Sequence, residues 1–272
     1  MTICAYCGGD GPFTKEHIYP KCLYDLTPEQ DITFFEIGEE KKAFTGQATV
    51  RDVCKSCNNG FLAKLDSYFC GLYESSFYKF IGEGEQTAFE YDFDKLARWL
   101  LKVEYNSART YKIDIHSMKL LIPYIRYGYP RPSGLAIFIQ LVIPFDSDKY
   151  QSTRNTPGVT PYKLPPMNTR CGPINFIEHE DWYGLARFFA INSYYFYILH
   201  PYREEQLKKQ WKKALQFFRE GIPSAQWLQH NKHAIVLNAS SVDALAATKS
   251  EILRFREPYE EFKKKKKKGK YD

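Results

Sequence analysis

Several things are missing from this 272-residue chain, and each absence narrows what it can be. No run of about 18 apolar residues occurs, so no membrane span and no membrane partner are expected. The first residues, MTICAYCGGDGPF, lack a charged segment leading into an apolar stretch. No export signal is read there, and a reducing cytoplasmic setting is expected, with metal thiolates favoured over disulfides. Histidine is scarce, and His17 is the only one before His116. Net charge is absent from the body of the chain. The tail from Lys263 to Asp272 carries seven lysines and one aspartate, which accounts for the whole formal charge of +6. Lys263, Lys264, Lys265, Lys266, Lys267 and Lys268 would draw polyanions such as DNA without reading their sequence, or serve only as a solubilising tail. No internal repeat is visible in the second half.

Aromatic side chains are abundant, with 21 tyrosines and 20 phenylalanines, enough for a large core. The length exceeds the usual domain, so two domains are expected: residues 1–85, then 86–262, with a disordered lysine-rich tail at 263–272. The break is set in the polar stretch GEGEQ. Within the first part, ITFFEIG and AFTGQATV read as a hairpin, and Phe61, Leu62, Leu65, Phe69 and Leu72 follow a helical period. Beyond it, residues 93–107 and 203–221 read as helices, with a further helix over 109–122. GLAIFIQLVIPF, the aromatic stretch 185–201 and HAIVLNA read as strands. A last helix is expected to open at SSVDALAA, with a Ser cap and Asp243 in its first turn. The fold class is therefore α+β.

Seven cysteines are present, four of them in two Cys-x-x-Cys pairs, Cys4/Cys7 and Cys54/Cys57. Structural zinc takes four tetrahedral ligands, commonly thiolates from such pairs. The two pairs would close the intervening chain into a stapled loop; alternatively the thiols are small buried apolar groups. Cys22 is a candidate substitute ligand without a partner at metal spacing, and Cys171 reads as an ordinary thiol. Between the pairs lie Glu16 and His17, and Asn58-Asn59 follows the second pair. A neutral imidazole can take a proton from water. Strand neighbours face opposite ways, so Glu16 and His17 would do different work. Carboxylate and amide oxygens suit Mg²⁺ or Mn²⁺.

CAYC, then TKEHIYP, then VCKSCNNGFLAKLD resembles the HNH, or ββα-metal, nuclease family in its four-cysteine zinc form, over about residues 4–66. The resemblance implies a zinc-stapled β-hairpin and helix, a catalytic Mg²⁺ or Mn²⁺, and hydrolysis of phosphodiester bonds in DNA, with RNA as the other substrate. It implies that His17 is the general base, that Glu16 is a metal ligand, and that Asn58 fills the terminal metal position, with Asn59 as its rival. It also implies a setting in bacteria, phages or mobile elements, including defence systems. Where the family has an orienting Asn, this chain has Thr49; Thr49, Gln47 or a backbone carbonyl would then orient His17. Asp66 is placed on the helix surface or in a local polar contact, with a direction toward the site as the alternative. The second part carries no catalytic signature and is expected to serve specificity, a regulatory protein partner or homo-oligomerisation. EHED with His179 reads as a charged loop, with a second metal site as the alternative, and His230 and His233 have metal-like spacing without obvious further ligands. The rival to an enzyme is a noncatalytic zinc module that binds nucleic acid or protein.

Overall fold

The computed structural model describes residues 3–26, 32–37, 40–144, 169–174, 184–201 and 210–243, together with 261 and 264. The chain begins with β1 (Phe13–His17), α1 (Lys21–Leu26), β2 (Ile32–Ile37), β3 (Glu40–Thr45) and β4 (Thr49–Cys54). A short α2 (Lys55–Cys57), a π-helical turn at Asn58–Leu62, α3 (Ala63–Leu72) and a second π-helical turn at Tyr73–Phe77 follow. Next come β5 (Gln86–Glu90), α4 (Phe93–Tyr111), α5 (Ile115–Lys119), α6 (Ile122–Tyr127), β6 (Ala136–Ile143) and β7 (Arg170–Pro173). The described chain closes with β8 (Gly184–Ile191), β9 (Tyr194–Pro201), α7 (Gln210–Gly221), β10 (Gln226–Trp227) and β11 (Ala234–Asp243). The class is α+β, as the sequence pattern predicts.

Strands β1 and β4 pair antiparallel and run into α2 and α3, so the first part is a two-stranded ladder followed by a helix. The β2–β3 hairpin is inserted between its two strands. The larger sheet has seven strands in the order β5-β11-β6-β9-β8-β7, with β10 on β6. The aromatic stretch that reads as strand is the β8–β9 hairpin, and nearly every side chain in it is buried. It is core rather than a base-stacking face.

Helix α4 joins the two sheets. Asp92 caps it by accepting from the Lys95 N–H at 3.1 Å, and Lys112 ends it at a left-handed φ of 57°. Trp99 on α4 stacks on Phe69 of α3, centroids 3.4 Å apart, and Phe189 of β8 meets it edge-on at 4.9 Å. Cys54, Leu62 and Phe69 from before the GEGEQ stretch share one buried cluster with Phe89, Trp99 and Phe196 from after it.

Three expectations need correction. The helix over 109–122 is the end of α4 followed by α5 and α6, because Lys112 and Asp114 both take positive φ and break the helical run. The Ser cap at the last helix is strand instead: β11 continues through Asp243, whose register partner is Ile143 of β6, and sheet pairing overrides the local capping preference. Cys22 is not an isolated thiol, since a disulfide to Cys70 ties α1 to α3 with Cα atoms 6.3 Å apart. EHED with His179, the first part of helix 203–221 and residues 244–260 lie outside the described residues. So do Lys263, Lys265, Lys266, Lys267 and Lys268, while Lys264 is exposed.

Candidate metal centre and the histidine beside it

Two turns deliver the four thiols. Gly8 takes a φ of +72°, open to a residue without Cβ, and its N–H donates to the Cys4 carbonyl at 2.9 Å. That reversal sets Cys7 beside Cys4. Strand β4 ends at Cys54, and α2 brings Cys57 back to the same point. The four sulfurs all lie within 4.8 Å of one another, and Cys7 and Cys54 are 3.7 Å apart. A tetrahedral zinc with bonds of about 2.3 Å places its sulfurs about 3.8 Å apart. The donor set therefore fits a metal ion such as zinc. Burial alone would raise the Cys4 thiol, but backbone N–H groups of Cys54, Cys7 and Tyr6 outweigh it and bring it down to about 6. The Cys54 N–H is 3.3 Å from that sulfur. Burial pushes the Cys57 thiol up, which a bound cation would reverse. Among the described residues these four form the one cluster of metal-type side chains, and His230 and His233 join none.

Beside the cysteines, β1 and β4 pair with a bulge. Thr14 faces Val53 and Glu16 faces Val50, so Lys15 opposes two residues, Arg51 and Asp52. Asn58 sits at the first position of the π-helical turn after Cys57 and reaches across to this irregular stretch. Its amide nitrogen donates to Thr14 Oγ1 and to the Lys15 carbonyl, both at 2.9 Å. Asn59 next to it is exposed.

At the end of β1, adjacent side chains face opposite ways. His17 turns outward and is half-buried, and its Nε2 lies 2.6 Å from Gln47 Oε1. In the tautomer with Nε2–H donating to Gln47, Nδ1 keeps its lone pair. Of the groups expected to orient this ring, Gln47 contacts it; Thr49 is its register partner across the ladder.

Glu16 turns inward and is 2% exposed. Its carboxylate meets Lys102 Nζ of α4 at 2.7 Å. The same ammonium donates to Asp66 at 3.0 and 3.2 Å and to the His17 carbonyl at 3.0 Å. Trp99 Nε1 donates to Asp66 Oδ1 at 3.0 Å. One helical turn on, Asn106 Nδ2 lies 3.4 Å from both Glu16 Oε1 and the His17 carbonyl, and its Oδ1 accepts from Tyr6 and Arg109. Arg109 also pairs with Asp52 on the bulged strand at 2.6 Å. Burial alone would lower the Lys102 ammonium, but Asp66 and Glu16 outweigh it and hold it above its ordinary value. Burial pushes the Glu16 carboxyl up, with Lys102 pulling against it.

Lys102, Asn106 and Arg109 were not singled out by sequence. The available signal was a lysine and a glutamate inside WLLKVEYNS, a stretch too apolar to leave them in water. Asp66 points from α3 toward the underside of the site rather than out to solvent alone. The divalent cation expected on Glu16 together with Asn58 does not fit the Glu16 carboxylate as it is placed. The reason lies with Glu16, which is turned to the interior and paired with an ammonium; Asn58 is fixed to β1 through its amide nitrogen. Comparison of the chain with protein-family models, curated proteins and solved structures finds no match in any of the three.

Proposed function

We propose that this chain is an endonuclease of the HNH type, hydrolysing phosphodiester bonds in DNA ahead of RNA. One observation carries the reading. A half-exposed His17, with one ring nitrogen on Gln47 at 2.6 Å, ends the first strand of a strand–strand–helix unit that four clustered thiols can pin with a metal. In this reading His17 takes a proton from water, the water oxygen bonds to phosphorus, and the bond to the 3′-oxygen breaks. The leaving oxygen takes its proton from solvent. Gln47 fixes the ring, and Lys102 and Asn106 fix the His17 backbone from beneath. Zinc on Cys4, Cys7, Cys54 and Cys57 would hold the strand ladder to the helix and take no part in bond making. No step is assigned to a divalent cation. The lysine tail supplies sequence-independent attraction to the polyanion.

The pairing of Glu16 with Lys102 favours a second reading, a noncatalytic zinc module that binds nucleic acid. Supercoiled plasmid and single-stranded RNA, incubated in Mg²⁺ or Mn²⁺ with zinc-loaded protein and with His17→Ala, separate the two. Cutting by the unaltered protein alone supports the enzyme. Equal cutting by both marks a contaminant, and no cutting by either supports the binding module.

A further inference from the structure

The most unusual feature outside the reacting histidine is the surrounding of Lys102 Nζ. Four oxygens from three residues converge on it: Glu16 Oε1 at 2.7 Å, His17 O at 3.0 Å, and Asp66 Oδ1 and Oδ2 at 3.0 and 3.2 Å. Two carboxylates, one of them bidentate, and a backbone carbonyl make the type of oxygen set that hard cations take. Here the cation is the side chain's own ammonium, with the Lys102 side chain fully buried. The cage is also sized for it. N–H···O contacts span about 2.7–3.2 Å, whereas Ca²⁺ needs about 2.3–2.6 Å and Mg²⁺ about 2.0–2.1 Å.

We infer that Lys102 is the resident cation of this module, occupying the carboxylate cage that would otherwise take a divalent ion, so that Glu16 and Asp66 bind no free metal in the native chain. The ammonium neutralises one of the two carboxylates and, through the His17 carbonyl, ties the candidate base to α4. Cation identity in this module is then set by a residue from the long helix that follows it, 86 positions beyond Glu16 in sequence. Truncating that side chain leaves two carboxylates and a carbonyl around an open position. The vacated cage would take a Ca²⁺-sized ion before Mg²⁺, because it must contract by roughly 0.5 Å for the first and roughly 1 Å for the second. The inference concerns ion binding and stands whether or not the chain cuts nucleic acid.

Trp99 supplies the readout. Its indole nitrogen is bonded to Asp66 Oδ1, so a lanthanide in the cage would lie close enough to be sensitised by tryptophan excitation. Zinc-loaded full-length protein, Lys102→Ala and Lys102→Ala/Glu16→Gln are titrated with Tb³⁺, with Ca²⁺ and Mg²⁺ as competitors. The expected result is no saturable emission from the unaltered chain and a gain of one bound ion per Lys102→Ala chain. Ca²⁺ should displace that ion more readily than Mg²⁺, and the second substitution should abolish it. Saturable Tb³⁺ binding by the unaltered chain that Glu16→Gln removes would overturn the inference. So would a folded Lys102→Ala chain that binds no ion. Should Lys102→Ala fail to fold, the unaltered chain still decides. Its buried Lys102 ammonium resonance should persist unshifted through a Ca²⁺ titration, and its loss or displacement would overturn the inference.

Discussion

Replacing Lys102 with Met keeps an unbranched side chain, one heavy atom shorter, and removes its charge. Glu16, 2% exposed, and the partly buried Asp66 then face each other across an apolar group with no counter-ion. Removing one partner of a buried pair costs about 3–5 kcal/mol. The lost hydrogen bond to the His17 carbonyl adds about 1 kcal/mol. Typical domains hold only about 5–15 kcal/mol, so Lys102→Met should lower the urea midpoint of zinc-loaded protein by about 1–2 M at neutral pH. The pH dependence has a definite sign. Without the ammonium, burial raises the Glu16 carboxyl further above its unfolded value. Such a group binds its proton more tightly in the folded chain, so the variant's deficit is largest at neutral pH and shrinks as the pH falls toward the unfolded value of 4.5. Glu16→Gln added to Lys102→Met should recover part of the loss, giving a double-mutant coupling above about 1 kcal/mol. Urea titrations at several pH values read all of this. A Lys102→Met deficit under about 1 kcal/mol, or one that acid does not relieve, would refute the account of the buried cage.

Metal analysis of the purified chain should find one zinc, and Cys54→Ser with Cys57→Ser should lose both the metal and the near-ultraviolet signal of folded aromatics. His17→Ala should change stability by no more than about 0.5 kcal/mol in denaturant titration, since the ring is half-exposed, while abolishing nucleic-acid cleavage. Gln47→Ala should leave the fold intact and slow cleavage about 10–100-fold in single-turnover assays by freeing the ring. Burial on β9 pulls His200 from 6.5 down to about 4. The unfolded chain therefore takes up this proton first, and stability falls as pH drops from 6.5 to 4, by up to about 3 kcal/mol. His200→Gln should flatten that part of the stability profile.

The parts of this molecule that were legible in its sequence are those written locally. The Cys-x-x-Cys pairs, the helical period of Leu62, Leu65 and Phe69, and the apolar run of β6 depend on residues a few positions apart. The hairpin read at ITFFEIG and AFTGQATV is β2 with β3, its second strand opening earlier, at Glu40, while the β1–β4 ladder has no local signature of its own. What was not legible depends on distant contacts. The inward turn of Glu16 is fixed by a bulge in β4 and by Lys102, which a helix period alone cannot assign to one partner. The Cys22–Cys70 disulfide joins residues 48 positions apart without a spacing signature. The Ser cap and the first-turn Asp243 carry good helix-start chemistry, yet β11 runs through Asp243, which pairs with Ile143 of β6. In each case a long-range pairing outweighed a local preference.

Among the site residues, His17 and Gln47 came through as a contact, whereas the Glu16 and Asn58 side chains were drawn to separate tasks, one beneath the strand and one along it. That division makes His17 the residue on which the functional account turns. The most direct test is cleavage of an end-labelled DNA duplex by zinc-loaded protein and by His17→Ala, with both products resolved to the nucleotide and their ends identified. The account predicts cuts by the unaltered chain alone, leaving 5′-phosphate and 3′-hydroxyl ends. Equal cutting by the two proteins, or an intact duplex with both, would contradict it.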